Sequence, residues 1–212
     1  MLWVALIQST LHLIEFSRDV KHWLSEGPPP VDAARPSHCT ICRSASRDER
    51  RGLSLYGHGL RDRVQWGPRV PSRFGACLVV PTRRYQCQLC DAVLVVVPRG
   101  MLPRKRYSGP AIGFALALWA LTRLPEPEVF DRVSVFELSP YVEAHGWRSL
   151  RRWTGDAVAG QMWPHVRGAP AGSTYREHAE RIAASLTSFA PDPHVGSLCA
   201  RAFEGAKHIG RG

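Results

Sequence analysis

The chain has 212 residues, a length that allows one or two compact units and their connecting segments. Hydrophobic residues make up 44% and charged residues 22%, which excludes a wholly disordered or fibrous chain. The formal net charge is +10, from 28 basic and 18 acidic side chains. Such an excess favours a polyanionic partner, of which nucleic acid is the commonest.

The positive charge is concentrated in the middle of the chain. Residues 31–108 carry 15 basic and 5 acidic side chains, a net charge of +10, whereas residues 1–30 have a net charge of −1 and residues 109–212 of +1. Nearly all the basic residues are arginines, which make planar, bidentate contacts with phosphates and bases. A GC-rich genome can contribute to the same bias. The middle third is therefore the expected nucleic-acid surface.

Two apolar segments bear on targeting and membrane insertion. The start of the chain, Met1–Ile7, has no basic residues and is not followed by a small-residue cleavage site, so we expect no secretory signal. The eleven apolar residues Ala111–Leu121 are too few for a bilayer core, which needs about 20 residues in a helix. We therefore expect a cytoplasmic protein without a membrane partner, whose cysteines are reduced.

The first third of the chain predicts a strand, a helix and a run of β segments. Leu11–Phe16 alternates as a strand does, and Ser17 is the expected cap of a helix that ends at Gly27. Pro28–Pro36 is a linker. Between His38 and Pro98 the β-like segments are LSLYGHG, RDRVQW, ACLVVPTRRYQC and AVLVVV.

The remainder predicts helices. Ser108 is a suitable cap for the apolar run Ala111–Leu121, and Thr174 with Glu177 forms a capping box. The other predicted helices are Glu126–Val135, a segment from Ser139 to Gly146, Trp147–Val158, a helix with the apolar stripe Ala179, Ile182, Ala183, Leu186 and Phe189, and a last helix containing Cys199, Ala202, Phe203 and Ala206.

Two CxxC pairs are the most specific motif in the sequence. Cys39 and Cys42 form the first pair, and Cys87 and Cys90 form the second. Two such turns supply the four thiolates of a closed tetrahedral Zn²⁺ site, which leaves no position for a catalytic water. Redox-active pairs are the alternative, although a thioredoxin-like site needs one CxxC before a long helix. We therefore expect one structural Zn²⁺.

The sequence contains other cysteines and histidines that are not expected to bind the metal. Cys77 lies in an apolar strand and Cys199 on a helix stripe, so both are predicted to be buried structural thiols. His38 and His58 can substitute for a zinc ligand, but four thiolates already make a complete set.

Basic clusters flank the two CxxC pairs and alternate with aromatic residues. Such clusters bind phosphates and stack on bases, whereas the alternative is a solvated arginine face with its aromatics packed inward. The expected DNA-binding residues here are Arg61, Arg63, Arg83, Arg84, Arg104, Lys105 and Arg106, and the aromatics are Tyr56, Trp66, Tyr85 and Tyr107.

The order CxxC, GHGLRDR, RRYQCQLC and PRKRYS resembles the zinc ribbon that precedes the DNA-binding helices of insertion-sequence transposases. The resemblance covers about residues 37–108. It implies binding to transposon-end DNA through Arg83, Arg84 and residues 104–106. The first knuckle departs from that family, with Thr40 in place of the usual proline and Arg43 in place of the usual glycine.

Residues 139–159 have the size and break of a helix-turn-helix. In the segment WRSLRRW the residues Trp147, Leu150, Trp153 and Ala157 are predicted to face inward. An ordinary amphipathic helix is the alternative. The arginines predicted to face outward and to contact DNA are Arg148, Arg151 and Arg152.

No motif organises a catalytic site. The nuclease of a full transposase needs three carboxylates around two metal ions, but the acids after residue 108 lie mostly on predicted helices. The sequence has no GxSxG, no HExxH and no glycine-rich phosphate loop. We therefore expect a protein without enzymatic activity.

The predicted fold is α+β, a small β zinc ribbon followed by a mostly α-helical domain with a helix-turn-helix. The expected divisions are an N-terminal strand, helix and linker (1–36), the ribbon (37–107) and the helical domain (108–212). The predicted function is DNA binding in a mobile element, as a transposase accessory, relic or regulator, with a transposase or recombinase as a partner. The alternatives are an RNA-binding ribbon protein and a protein-interaction scaffold.

Overall fold

The computed structural model of the chain describes residues 12–50, 52–194 and 196–209. Within these ranges the chain has a mixed α/β fold with a four-stranded sheet, a two-stranded sheet and seven helices. None of the helices in this part of the chain has the length and apolar character needed to cross a membrane. Leu11, the predicted start of the first strand, lies outside the described residues.

The strands all precede residue 100. In the described part of the chain they are β1 (His12–Asp19), β2 (Arg47–Asp48), β3 (Gly52–Leu53), β4 (Leu55–Gly67), β5 (Ala76–Cys87) and β6 (Val93–Arg99). The larger sheet has the order β1-β6-β5-β4, and β5 pairs antiparallel with β6, with Tyr85 opposite Leu94. Strand β2 pairs antiparallel with β3. The predicted segment RDRVQW and the part of LSLYGHG from Leu55 onwards lie in one long strand, β4, whereas Leu53 belongs to β3.

The helices, apart from the first, follow the sheet. Their bounds are α1 (Val20–Glu26), α2 (Gly109–Ala120), α3 (Glu126–Val133), α4 (Pro140–His145), α5 (Arg148–Val158), α6 (Tyr175–Thr187) and α7 (Leu198–His208). Each coincides with a helix predicted from the sequence, within a few residues at its ends.

The chain divides into two compact units. The first contains the described residues up to Arg63 together with Val80–Pro98, and the second contains Val64–Val79 with the described residues from Arg99 onwards. These limits differ from the sequence-based divisions near 36 and 107. The tip of the β4–β5 hairpin belongs to the second unit, where Trp66 pairs in parallel with Tyr107.

The core of the first unit is built around Trp23. Its ring is fully buried, its Nε1–H donates to the carbonyl of Pro81 at 2.7 Å, and it packs edge-on against Phe16. Helix α1 begins after Asp19, whose carboxylate accepts from the backbone N–H of His22 at 2.9 Å. The prediction that Ser17 caps this helix is therefore wrong, because strand β1 continues through that residue.

The second unit is organised around helix α2. Every residue of α2 is buried, and the helix packs against α6 and α7. It begins as predicted, because the Ser108 hydroxyl accepts from the N–H of Ala111 at 3.1 Å. Tyr107 lies in the same core and makes edge-to-face contacts with Trp147 and Trp153.

Helix α6 confirms the predicted capping box. Thr174 accepts from the N–H of Glu177, whose carboxylate accepts from the N–H of Thr174 at 2.6 Å. Hydrogen bonds to Thr174 also lower the pKa of the Glu177 carboxyl. The predicted stripe ends early: Leu186 is fully buried, but Phe189 lies beyond the helix and is 39% exposed.

Removing the Thr174 cap is expected to cause a small loss of stability. We expect Thr174→Ala to lower the free energy of unfolding by about 1 kcal/mol, because the first turn of α6 loses a hydrogen-bond acceptor. Urea denaturation measures the change. Ser173→Ala, one residue earlier, is the matched control and is expected to leave the midpoint unchanged. Equal losses in the two variants would contradict a specific role for the cap.

Candidate metal centre and nucleic-acid interface

The first CxxC pair lies in a tight turn closed by its own backbone. The N–H of Cys39 donates to the carbonyl of Ser44 at 2.8 Å, and the N–H of Arg43 donates to the carbonyl of Cys39 at 3.0 Å. These two hydrogen bonds fold the six residues from Cys39 to Ser44 into a knuckle that holds the Cys39 and Cys42 side chains on one side of the turn.

The second CxxC pair repeats the same hydrogen bonds. The N–H of Cys87 donates to the carbonyl of Ala92 at 2.9 Å, and the N–H of Asp91 donates to the carbonyl of Cys87 at 2.9 Å. The spacing of donors and acceptors is identical to that of the first knuckle. Cys87 is the last residue of β5, so the sheet places the second knuckle where the turn towards β6 begins.

Both knuckles have a left-handed residue after the second cysteine. Arg43 has φ 62° and Asp91 has φ 56°, a region that glycine occupies most readily. The departure of Arg43 from the usual glycine therefore leaves the turn intact. A non-glycine residue in this conformation raises the free energy of the turn. The conformation persists because hydrogen bonds fix the residues around it.

The two knuckles bring four sulfur atoms together. All four Sγ atoms lie within 4.8 Å of one another. The Cys39–Cys90 and Cys42–Cys87 Sγ distances are both 3.7 Å. Thiolates about 2.3 Å from a tetrahedral ion are about 3.8 Å apart, so this spacing fits a shared metal ion. The four cysteines predicted as ligands are thus positioned to hold a metal.

A hydroxyl group that the sequence reasoning missed lies beside the cluster. Ser44 Oγ is 3.1 Å from Cys42 Sγ and 3.8 Å from Cys87 Sγ. Hydrogen bonds to Ser44 lower the pKa of the Cys42 thiol to about 6, whereas burial raises the pKa of Cys90. A lowered pKa favours the thiolate, which is the metal-binding form. The signal in the sequence was the position of Ser44 two residues after Cys42, which places a hydroxyl group near that thiol.

The remaining two cysteines lie outside the cluster. Cys199 is buried, as predicted, and burial raises its pKa. Cys77 is exposed on β5, so its prediction as a buried thiol is wrong. The apolar residues beside it alternate along the strand, and the face that carries Cys77 is not covered.

The two arginines of β4 share one side of the strand. Arg61 is exposed and Arg63 is half-buried. Burial and the positive charge of Arg61 lower the pKa of Arg63. Among the described residues, neither guanidinium has a carboxylate within ion-pair distance. Two uncompensated positive charges therefore stand close together.

The two arginines of β5 point to opposite faces. Arg83 Nε donates to the carbonyl of Pro29, and the Tyr85 hydroxyl donates to the carbonyl of Val31, so these side chains face the segment 28–36. Arg84 faces the other way, towards Gly59 on β4. Its Nη2 atom is 4.0 Å from the position that a Cβ at Gly59 would take. The buried Nε of Arg84 has no hydrogen-bond partner in the described chain.

The basic residues 104–106 have three different environments. Arg104 is exposed, with φ 56°. Lys105 Nζ pairs with the carboxylate of Asp156, and both side chains are largely buried. Arg106 is exposed, and its guanidinium lies over the Trp66 ring, 4.8 Å from the centroid. Lys105 is thus neutralised within the second unit, and Arg104 and Arg106 remain as surface cations.

The α5 helix has the predicted two faces. Trp147, at its cap, and Leu150, Trp153 and Ala157 are buried, whereas Arg148, Arg151 and Arg152 are exposed. The three arginines have different partners. Arg151 pairs with Glu126 at 3.1 Å, and the guanidinium of Arg148 lies over the ring of Tyr141. Arg152 donates a hydrogen bond to the hydroxyl of Ser149.

The aromatic residues of the basic segment differ in their exposure to solvent. Tyr85 is fully buried and Tyr107 is 9% exposed, so these two rings pack inward instead of offering a stacking face. Tyr56 is 46% exposed. Sequence reasoning missed Phe136, which is 54% exposed and packs edge-on against Trp66. No charge or spacing pattern in the sequence marks Phe136.

Comparison with protein-family models, with curated proteins and with solved structures finds no match for this chain. The functional interpretation therefore depends on the chemistry of its own residues: a four-cysteine cluster that fits a metal ion, and a set of arginines without carboxylate partners.

Proposed function

We propose that the chain is a zinc-stabilised DNA-binding protein without catalytic activity, acting in a mobile element as a transposase accessory, regulator or relic. A separate transposase or recombinase would then be its partner. In this proposal the region of the two knuckles is a zinc ribbon, and α4 with α5 is a helix-turn-helix. The mobile-element role rests on the resemblance of the RRYQCQLC and PRKRYS segments.

Zinc is the metal that we propose for the cluster. Four thiolates at tetrahedral spacing are typical of Zn²⁺ and of iron–sulfur centres. In the mononuclear case, four protein ligands leave no open coordination position, so the ion stabilises the fold and does not activate water. The ligands would be Cys39, Cys42, Cys87 and Cys90, with the Ser44 hydroxyl donating to the Cys42 sulfur at 3.1 Å.

The observation that carries the proposal is the set of uncompensated arginines in the unit that holds the cysteines. Arg61, Arg63 and Arg84 have no carboxylate partner among the described residues, and Arg63 is partly desolvated beside Arg61. Bringing like charges together without a counter-ion is unfavourable unless an anion binds between them. The phosphates of DNA supply that anion, and arginine holds them bidentately.

Helix α5 is the proposed second contact. Its buried face fixes the helix on the core through Leu150 and Trp153, which leaves Arg148 and Arg152 on the solvent side. In a helix-turn-helix the second helix presents such residues to phosphates or to guanine edges. Arg151 is a weaker candidate than its neighbours, because Glu126 already neutralises it.

The phosphate contacts predict a defined salt dependence. In fluorescence anisotropy with duplex DNA, affinity is expected to fall steeply between about 50 and 200 mM salt. The double variant Arg61→Gln, Arg63→Gln should bind about tenfold more weakly at low salt. It should also reduce the slope of log K against log salt by about 1.8, because two phosphate contacts are lost.

The matched control removes two other exposed arginines, through Arg132→Gln and Arg181→Gln on α3 and α6. It changes the net charge equally and should leave affinity close to wild type. Equal losses in both double variants would mean that only net charge matters. Tighter binding of RNA than of DNA at matched salt would favour an RNA-binding protein, and salt-independent or absent binding would favour a protein-interaction scaffold.

A further inference from the structure

An aromatic cluster with an arginine lies on the surface of the second unit. Phe136 contacts Trp66 edge-on, with ring centroids 4.9 Å apart and an interplanar angle of 90°. The guanidinium of Arg106 covers the Trp66 ring at 4.8 Å. Phe136 is 54% exposed, so much of its surface is in contact with solvent. We call these three residues the stacking cluster.

The stacking cluster is held in place from below. The N–H of Phe136 donates to the hydroxyl of Ser134 at 3.0 Å, and the Tyr107 hydroxyl donates to the same oxygen at 3.3 Å. Ser134 is buried. Both backbone polar groups of Trp66 are hydrogen-bonded: its N–H donates to the carbonyl of Arg106, and its carbonyl accepts from the N–H of Ser108. The rings are therefore pre-positioned, which lowers the entropic cost of binding a ligand.

The position of Phe136 leaves its ring available to a ligand. A phenylalanine gains about 1.5–3 kcal/mol when it is fully buried, and this ring forgoes much of that gain while its backbone is fixed. Planar partners are the ligands that aromatic and guanidinium surfaces bind. Arg106 is exposed and covers Trp66, and Arg104, two residues earlier, is exposed as well, whereas Lys105 is paired with Asp156. The site thus combines flat surfaces with positive charge.

We propose that the stacking cluster, including the planar guanidinium of Arg106, binds the unpaired bases of single-stranded DNA, with the exposed Arg104 on an adjoining phosphate. This inference rests on the proposed function, since it assumes that the basic surface binds DNA. In a duplex each base face is covered by its neighbours, whereas a single strand exposes those faces to aromatic and guanidinium groups. The cluster therefore adds a preference for unpaired DNA to the phosphate contacts of β4 and β5.

The test compares two single-stranded oligonucleotides of about 12 nucleotides at matched salt, one of mixed sequence and one with abasic sites throughout. The two carry the same phosphates, but only the first has bases. We expect the wild-type chain to bind the base-containing strand at least about fivefold more tightly, because stacking on one base contributes roughly five- to hundredfold. Phe136→Ala should lose most of this difference and keep its affinity for the abasic strand.

Two further variants separate stacking from charge and folding. Arg106→Lys keeps the charge but loses the planar group, so it should reduce binding of the base-containing strand only. Tyr175→Ala removes a ring of similar exposure, 53%, and should have no effect. Equal wild-type binding of both strands, with steep salt dependence, would overturn the stacking inference and leave the proposed function standing. No binding of either strand, with salt-dependent binding of duplex DNA intact, would overturn the stacking inference alone, and the absence of duplex binding as well would overturn both.

Discussion

Replacing Cys87 with serine is expected to abolish metal binding and to unfold the first unit. Cys87 is fully buried at the end of β5, with its Sγ 3.7 Å from that of Cys42. A serine oxygen is a poor ligand for a metal that prefers thiolates. Structural zinc contributes about 10–16 kcal/mol to the folding of zinc-finger peptides, which is comparable with the roughly 5–15 kcal/mol stability of a whole domain.

Elemental analysis and thermal unfolding followed by circular dichroism measure both effects. The wild-type chain should contain about one zinc per molecule and should lose its first-unit structure when a chelator removes the metal. Cys77→Ser is the matched control, because Cys77 lies on the same strand but is exposed and outside the cluster. A Cys87→Ser variant that keeps the wild-type melting temperature, or a wild-type chain that folds without metal, would refute the zinc assignment.

Replacing Gly205 with alanine should destabilise the second unit by about 3 kcal/mol or more. Gly205 lies in α7, where a Cβ would overlap the backbone carbonyl of Leu186 on α6. A main-chain carbonyl cannot rotate away as a side chain can, so the two helices would have to separate. The lower urea midpoint should appear with an unchanged m-value, since the surface exposed on unfolding stays similar.

Gly155 provides the opposite case within the same unit. It lies in the interior of α5, and a Cβ there would meet no atom within 4 Å. Gly155→Ala should therefore raise the free energy of unfolding by about 0.5–1 kcal/mol, because alanine loses less backbone entropy in a helix. Stabilisation of both variants would show that helix propensity, and not the α6–α7 approach, decides the outcome, and destabilisation of both would contradict the open space at Gly155.

Local signals in the sequence predicted local structure well. The Ser108 cap, the capping box of Thr174 and Glu177, and the break at Gly146 each depend on residues within one turn, and the structure has all three. The CxxC pairs predicted a cluster across 44 intervening residues because their spacing is tied to one ligand geometry. Such signals do not need knowledge of the rest of the fold.

Predictions failed where burial depends on distant segments. Alternation along β5 shows that its residues have two faces but does not show which face is covered, and Cys77 proved to be exposed. The roles of the basic residues were equally hidden. Nothing in PRKRYS shows that Lys105 pairs with Asp156, which is 51 residues away, while Arg106 covers Trp66. Both pairings join residues that are far apart in the sequence.

The repeated geometry of the two knuckles has a consequence for chain entropy. Each knuckle closes its own two backbone hydrogen bonds, so each pair of sulfurs is organised within six residues. A shared metal then acts as a cross-link between Cys42 and Cys87, which are 45 positions apart. Closing a loop of that length removes about 4 kcal/mol of unfolded-chain entropy at 25 °C in the cross-link model. Because doubling such a loop changes the cost by only about 0.6 kcal/mol, the β4–β5 hairpin can vary in length with little effect on the metal centre.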